Sequence, residues 1–70
     1  MAKTTNFTLN GEFYYTKQSI SILELITYLN YSESLLVLEL NNLICNKKNW
    51  DQIIIHQNDK VEIVTIVGGG

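Results

Sequence analysis

The chain has no proline, no arginine, a single cysteine and a single histidine. With one cysteine, Cys45, neither an intramolecular disulfide nor a multi-cysteine metal site can form, and a reducing compartment follows. Without arginine, the positive charge rests on five lysines against seven carboxylates, a net charge of −2. Only Lys47 and Lys48 are adjacent, too few to make a phosphate-binding stripe, so nucleic acid is not expected as a partner. No apolar run approaches the roughly 20 residues that span a bilayer, so no membrane is expected either. No basic leader with an apolar stretch precedes the domain, and "MAKTTNF" reads as a polar lead-in to a mature soluble domain. Glycine is scarce too: of four, three stand together in the terminal "VTIVGGG".

What is present suits one small domain. Seventy residues leave no room for a second, and a chain of this size buries only about 60% of its unfolded surface. The 46% hydrophobic fraction is enough for one compact core. Asn, Ile, Lys and Tyr are abundant, a bias often left by A+T-rich coding sequence. That points to an organelle, and so the plastid stroma, or to the cytoplasm of an A+T-rich bacterium.

"NFTLNGEFYY" places two β-prone runs around Asn10-Gly11, a pair suited to a type I′ hairpin turn, giving strands near 5–10 and 12–16. In "QSISILELITYLNYSE", Ser21 and Glu24 fit a capping box, and Ile20 and Leu25 a hydrophobic staple. Ile22, Leu25, Ile26 and Leu29 follow at helical spacing, predicting a helix over about 22–30. "LLVLELNN" predicts a strand over about 35–40, with Leu36, Leu38 and Leu40 on one side. Asn41-Asn42 turns into a short "LIC" strand. "NKKNWDQ" is a polar connection with room for one helical turn, and a turn at 57–59 leads to a last strand over 60–66. The order β-β-α-β-β-β with one helix is an α+β roll: a mixed sheet of about five strands, the helix on one face, the first and last strands side by side at the centre. This is the β-grasp, or ubiquitin-like, arrangement. The domain is expected over residues 1–66, with 67–70 a flexible glycine tail.

The body offers no credible active site. His56, the only histidine, has no second histidine or cysteine ligand three or four residues away and reads as an exposed or turn residue. Cys45 lies in apolar sequence and reads as a small core residue, not a reactive thiol. The carboxylates at 12, 24, 33, 39, 51, 59 and 62 are scattered and read as surface charge. "GGG" is no phosphate loop, because no helix follows whose amides could meet the anion.

The terminus itself is the better candidate. A terminal glycine carboxylate is an unhindered acyl group on a thin arm. Residues 66–70, extended at about 3.3 Å each, reach roughly 16 Å beyond the sheet. A carboxylate must be activated before a sulfur nucleophile can attack it. The chain has neither phosphate loop, magnesium site nor thiol relay, so the catalysis would be a partner's and this chain a co-substrate, not an enzyme. If Val61 and Ile63 face the helix, then Glu62, Val64 and Ile66 face outward, a candidate partner-docking face beside the arm.

"TLNGE", "LLVLELNNLICNKKNWDQ" and "NDKVEIVTIVGGG" resemble, in order and spacing, the ThiS/MoaD group of ubiquitin-like sulfur carriers over nearly the whole chain. Asn41 matches that group's asparagine after the third strand, and Trp50 its tryptophan after a basic residue. The chain departs from it at Asn46-Lys47, where members often have Pro-Arg. The resemblance implies that Gly70 is adenylated by a ThiF-like adenylyltransferase, converted to a thiocarboxylate and used as sulfur donor to a ThiG-like thiazole synthase. Gly69 and Gly68 would thread the partners' channels. ATP and magnesium would be used by the activating partner and no cofactor bound by this chain, itself monomeric when free. A MoaD-like carrier for molybdopterin synthesis is the nearest alternative, although that branch usually has proline before its Gly-Gly. A carrier for tRNA thiolation, a β-grasp interaction module with an inert tail, and a small enzyme using Cys45 and His56 are the others.

Overall fold

The computed structural model describes residues 4–31 and 35–65. Two strands, β1 (Thr5–Leu9) and β2 (Glu12–Thr16), form an antiparallel hairpin. The helix α1 (Ile22–Tyr28) follows, then β3 (Leu36–Leu40), β4 (Leu43–Ile44), a 3-10 turn over Lys47–Asn49 and β5 (Asp59–Thr65). The strands make one sheet in the order β2-β1-β5-β3-β4, with β5 parallel to β1 and antiparallel to β3. The expected β-grasp architecture is therefore present, with the first and last strands paired at its centre.

The shortage of glycine is met by asparagine. Gly11 has φ 85°, and every non-glycine residue with positive φ among those described is an asparagine: Asn10, Asn30, Asn41, Asn42 and Asn58. Asparagine tolerates the left-handed region better than other side chains because its short amide can bond locally. Asn10-Gly11, with positive φ at both positions, is the hairpin turn expected from the sequence.

The start of α1 accounts for all of its unpaired amides. Ser21 Oγ accepts from Glu24 N at 3.1 Å while Glu24 Oε1 accepts from Ser21 N at 2.8 Å, a complete capping box. Ile22 N donates to Ile53 O, Leu23 N to Trp50 O and Leu25 N to Ser21 O. Removing the cap with Ser21→Ala should cost about 1 kcal/mol, read as a lower urea midpoint at unchanged slope.

The helix ends two residues short of the expected 30. Asn30, at φ 64°, turns the chain, and its N–H donates to Thr27 O while that of Tyr31 donates to Ile26 O. This is a Schellman cap with asparagine at the left-handed position. Small shifts occur elsewhere: Leu35 and Cys45 fall outside their strands, Asn10 belongs to the turn, and β5 begins at Asp59.

The core lies between α1 and one sheet face. Ile22, Leu25 and Ile26 pack in one cluster with Phe7, Leu9, Leu38, Val61 and Ile63, together with Trp50 and Ile55. Leu29, expected on the buried helical face, is only half-buried at its edge. Among the described residues no helix is long and apolar enough to cross a membrane.

Candidate functional site: the central strand

β5 carries the chain toward its C-terminus, so the site is built on how that strand is held. On one side it pairs with β3 from Leu40↔Val61 to Leu36↔Thr65. On the other side, β1 pairs only as far as Leu9↔Val61. Past that point, the turn residue Asn10 replaces the strand. Its backbone N–H donates to Val61 O at 2.9 Å. Its side-chain Oδ1 accepts from Ile63 N at 2.7 Å, and its Nδ2 donates to Ile63 O at 3.3 Å. The amide thus extends the ladder by one residue, with both a donor and an acceptor, as a backbone would.

Asn41 does the same on the β3 side at the start of β5. Its N–H donates to Lys60 O at 2.8 Å, its Oδ1 accepts from Lys60 N at 2.9 Å, and its Nδ2 donates to Asp59 Oδ1 at 3.0 Å. Asp59 Oδ2 also accepts from His56 N at 2.7 Å, which closes the turn into the strand. Two asparagines therefore grip β5 from opposite sides. Neither had this role in the sequence reading, where Asn10 was a turn former and Asn41 a turn residue and family position. An amide that mimics backbone leaves no periodic signal.

The grip at Asn10 can be measured. Asn10→Gly keeps the positive φ and removes the side-chain bonds, and should cost about 1–2 kcal/mol. Asn10→Ala removes the bonds and strains the turn as well, adding about 1 kcal/mol. Urea midpoints in the order wild type, Asn10→Gly, Asn10→Ala are expected. A glycine variant as stable as wild type would remove the clamp from the account.

Val61 and Ile63 are buried against the helix, and Glu62 and Val64 point to the opposite face. There Val64 lies opposite Val37, and Glu62 opposite Glu39, which itself pairs with Ile44 of β4. Val64 is 56% exposed and Ile44 73%. Directly opposed like charges disfavour the pairing. Lys60 Nζ, 3.5 Å from Glu62 Oε1, offsets part of that repulsion. Ile66, Gly68, Gly69 and Gly70 lie outside the described residues.

Cys45 and His56 are not brought together as a nucleophile and base. His56 is a solvent-facing turn residue, its Nδ1 4.0 Å from Asp59 Oδ2. Cys45 packs half-buried against the core, with its Sγ 3.8 Å from Leu43 O. Burial pushes its thiol pKa up, partly countered by the Leu40 backbone, the reverse of what a reactive thiolate needs. Trp50, left without a role by the sequence, is a core residue whose Nε1 donates to Cys45 O at 3.1 Å. No group of three potential metal ligands occurs among the described residues.

The model of the ThiS family matches residues 7–70. The chain belongs to the ThiS family. A ThiS structure from Geobacter metallireducens, a thiamine biosynthesis protein, superposes with a TM-score of 0.80 at 26% identity, covering 94% of this chain and 100% of that one. Similar sequences include the ycf40 protein of Trieres chinensis, 59% identical over 99% of this chain and 92% of its own length. The ycf40 protein of Porphyra purpurea is 32% identical over 97% and 96%, respectively. As a ThiS family member with the ThiS fold, the chain has a sulfur-carrier role.

Proposed function

We propose that this ThiS family member carries sulfur for thiazole formation in thiamin biosynthesis. A ThiF-like adenylyltransferase, using ATP and magnesium, would join the Gly70 carboxylate to AMP and release pyrophosphate. A cysteine persulfide held by the partner would attack through its outer sulfur and displace AMP, giving an acyl disulfide, and a thiol reductant would cleave that S–S bond to leave the thiocarboxylate. That sulfur would pass to a ThiG-like thiazole synthase, returning the carboxylate. Gly68 and Gly69 form the thin arm. The observation that carries this reading is the position of β5. The strand leading to the Gly-Gly-Gly end is the central one, clamped on both sides through Asn10 and Asn41, so the arm has a fixed origin.

Glu62 and Val64 form the described part of the docking face of this proposal, to which the sequence reading adds Ile66. Val37 and Ile44 extend its apolar part, and the Glu39–Glu62 pair offers two carboxylates to a cationic group on the partner. The plastid stroma is the proposed compartment, supported by the composition and by the ycf40 relatives, a class encoded in organelle genomes.

The test is intact-mass analysis after incubation with ATP, magnesium, a ThiF-like enzyme and a sulfur donor. The expected gain is the mass difference between sulfur and oxygen, and subsequent transfer to thiazole synthase should reverse it. No shift with an enzyme competent on its own carrier would overturn the proposal. A thiocarboxylate accepted by molybdopterin synthase but refused by thiazole synthase would move it to the MoaD-like alternative.

A further inference from the structure

β4 and β2 form the two edges of the sheet, and they differ in kind. β4 is two residues long, and the chain leaves it through Asn46, Lys47 and Lys48. A short edge followed by charge discourages strand addition. β2 has five residues, no proline, one charge at its hairpin end (Glu12) and three aromatics in a row. Phe13 is 89% exposed, Tyr14 40% and Tyr15 65%. The Tyr14 ring is stacked on that of Phe7 with centroids 6.0 Å apart.

We propose that two copies of this chain pair antiparallel through their β2 edges, about a two-fold axis at Tyr14. This differs from the monomer expected from the sequence, which took no account of which strands would be edges. For antiparallel edges related by a two-fold, the axis stands normal to the sheet, so both helices lie on the same face. Tyr14 then meets Tyr14 of the second copy on the helix side. Phe13 meets Tyr15 of the second copy twice on the open face, and Glu12 meets Thr16. All three central pairs are aromatic, a favourable cross-strand combination, and no like charges are opposed. Lys17, which follows Thr16, sets a cation near Glu12 of the other copy at each end. The sequence Glu-Phe-Tyr-Tyr-Thr is close to symmetric about Tyr14, which favours a second copy over an unrelated strand.

The surroundings permit this pairing. A groove of about 640 Å³ between α1 and β2, lined by Phe7, Tyr14, Ile20, Leu25 and Tyr28, leaves room for the two Tyr14 rings on the helix side. The exposed fractions of the three aromatics correspond to roughly 400 Å² per copy. A total of about 800 Å² falls below the standard interface size, so the dimer is weak and forms at high concentration. The two β5 strands would be five strand spacings, about 24 Å, apart and would run in opposite directions. The pairing would use the open face only at β2, leaving the part of that face that carries Val37, Ile44 and Val64 uncovered.

Sedimentation velocity over about 10 µM to about 1 mM tests the proposal across the range of a weak interface. The weight-average mass is expected to rise from the monomer toward twice that value. Phe13→Lys combined with Tyr15→Lys opposes like charges in both outer pairs and should abolish the rise. Phe13→Glu combined with Tyr15→Lys loses the same aromatics but pairs opposite charges, and should associate at least tenfold more tightly than the double-lysine variant. Both positions are exposed, and circular dichroism checks that the variants fold. A wild-type monomer throughout, equal behaviour of the two double variants, or loss of the rise on Val64→Lys alone would each overturn the β2 pairing.

Discussion

Removing Gly70 should abolish thiocarboxylate formation while leaving the fold as stable as before. The core residues run from Phe7 to Ile63, and the clamps on β5 act at Lys60 and Ile63, so none of the described packing depends on the last residue. Thermal unfolding of the truncated chain should match wild type within about 0.5 kcal/mol, as for a surface change. On the proposed mechanism, in contrast, the outcome is all-or-none, decided by which carboxylate reaches the activating nucleotide. Shortening the arm by one residue withdraws the carboxylate by about 3.3 Å, when reacting atoms must approach to roughly 3–3.5 Å. Adding an alanine after Gly70 should have the same result by replacing the glycine carboxylate with a bulkier one. Cys45→Ala should keep thiocarboxylate formation at the wild-type level. The measurement is intact mass with the partner enzyme and ATP. Full modification of the truncated chain would remove Gly70 from the mechanism, and loss of modification on Cys45→Ala would favour a thiol mechanism in this chain.

The parts of this architecture that were legible in the sequence are those fixed by local rules. Ser21 and Glu24 are three residues apart, and their reciprocal bonds are formed within one turn of helix. Asn10-Gly11 needs only its own two φ angles to make a hairpin. The central pairing of β1 with β5 followed from chain order, because a helix crossing between two hairpins leaves first and last strands adjacent. What escaped was produced by contacts between distant residues. Asn10 bonds to Ile63 across 53 positions, and Asn41 to Lys60 across 19. In each case a polar side chain acts as backbone, with no pattern of hydrophobicity to reveal it. Asn30 shortened the helix for a related reason: with glycine rare in the body, asparagine takes up the left-handed positions, and its type alone does not say where a helix stops. The outward alternation of Glu62 and Val64 could be read from period two, but the Glu39 and Ile44 beside them depended on the register of β3 and β4.

Trp50 is where the sequence was least informative, and its replacement by alanine should unfold much of the protein. Its neighbours in "NKKNWDQ" are exposed, so the segment looks like a solvated loop. The 3-10 turn over Lys47–Asn49, capped by Asn46 Oδ1 accepting from Lys48 N, turns the indole alone inward. There it is 2% exposed, among the largest fully buried side chains. Its backbone carbonyl accepts from Leu23 N at the start of α1, and its indole N–H donates to Cys45 O just after β4. The residue thus joins the helix, the β4 end and the core. Loss of a buried tryptophan costs about 3–5 kcal/mol through lost transfer energy and the cavity left behind. At roughly 0.05–0.15 kcal/mol per residue, a domain of this size has about 5 kcal/mol in total. Trp50→Ala should therefore lie near or below the threshold of folding at 37 °C, seen as lost near-ultraviolet dichroism and a broad, early melt. Trp50→Phe retains most of the volume but leaves the Cys45 carbonyl without its donor, and should cost about 1–3 kcal/mol. A folded, wild-type-like Trp50→Ala would contradict the role given to the indole. The two large effects should separate by construction: Gly70 deletion is expected to leave a folded chain that is not charged, and Trp50→Ala to lose the folded strand β5 itself.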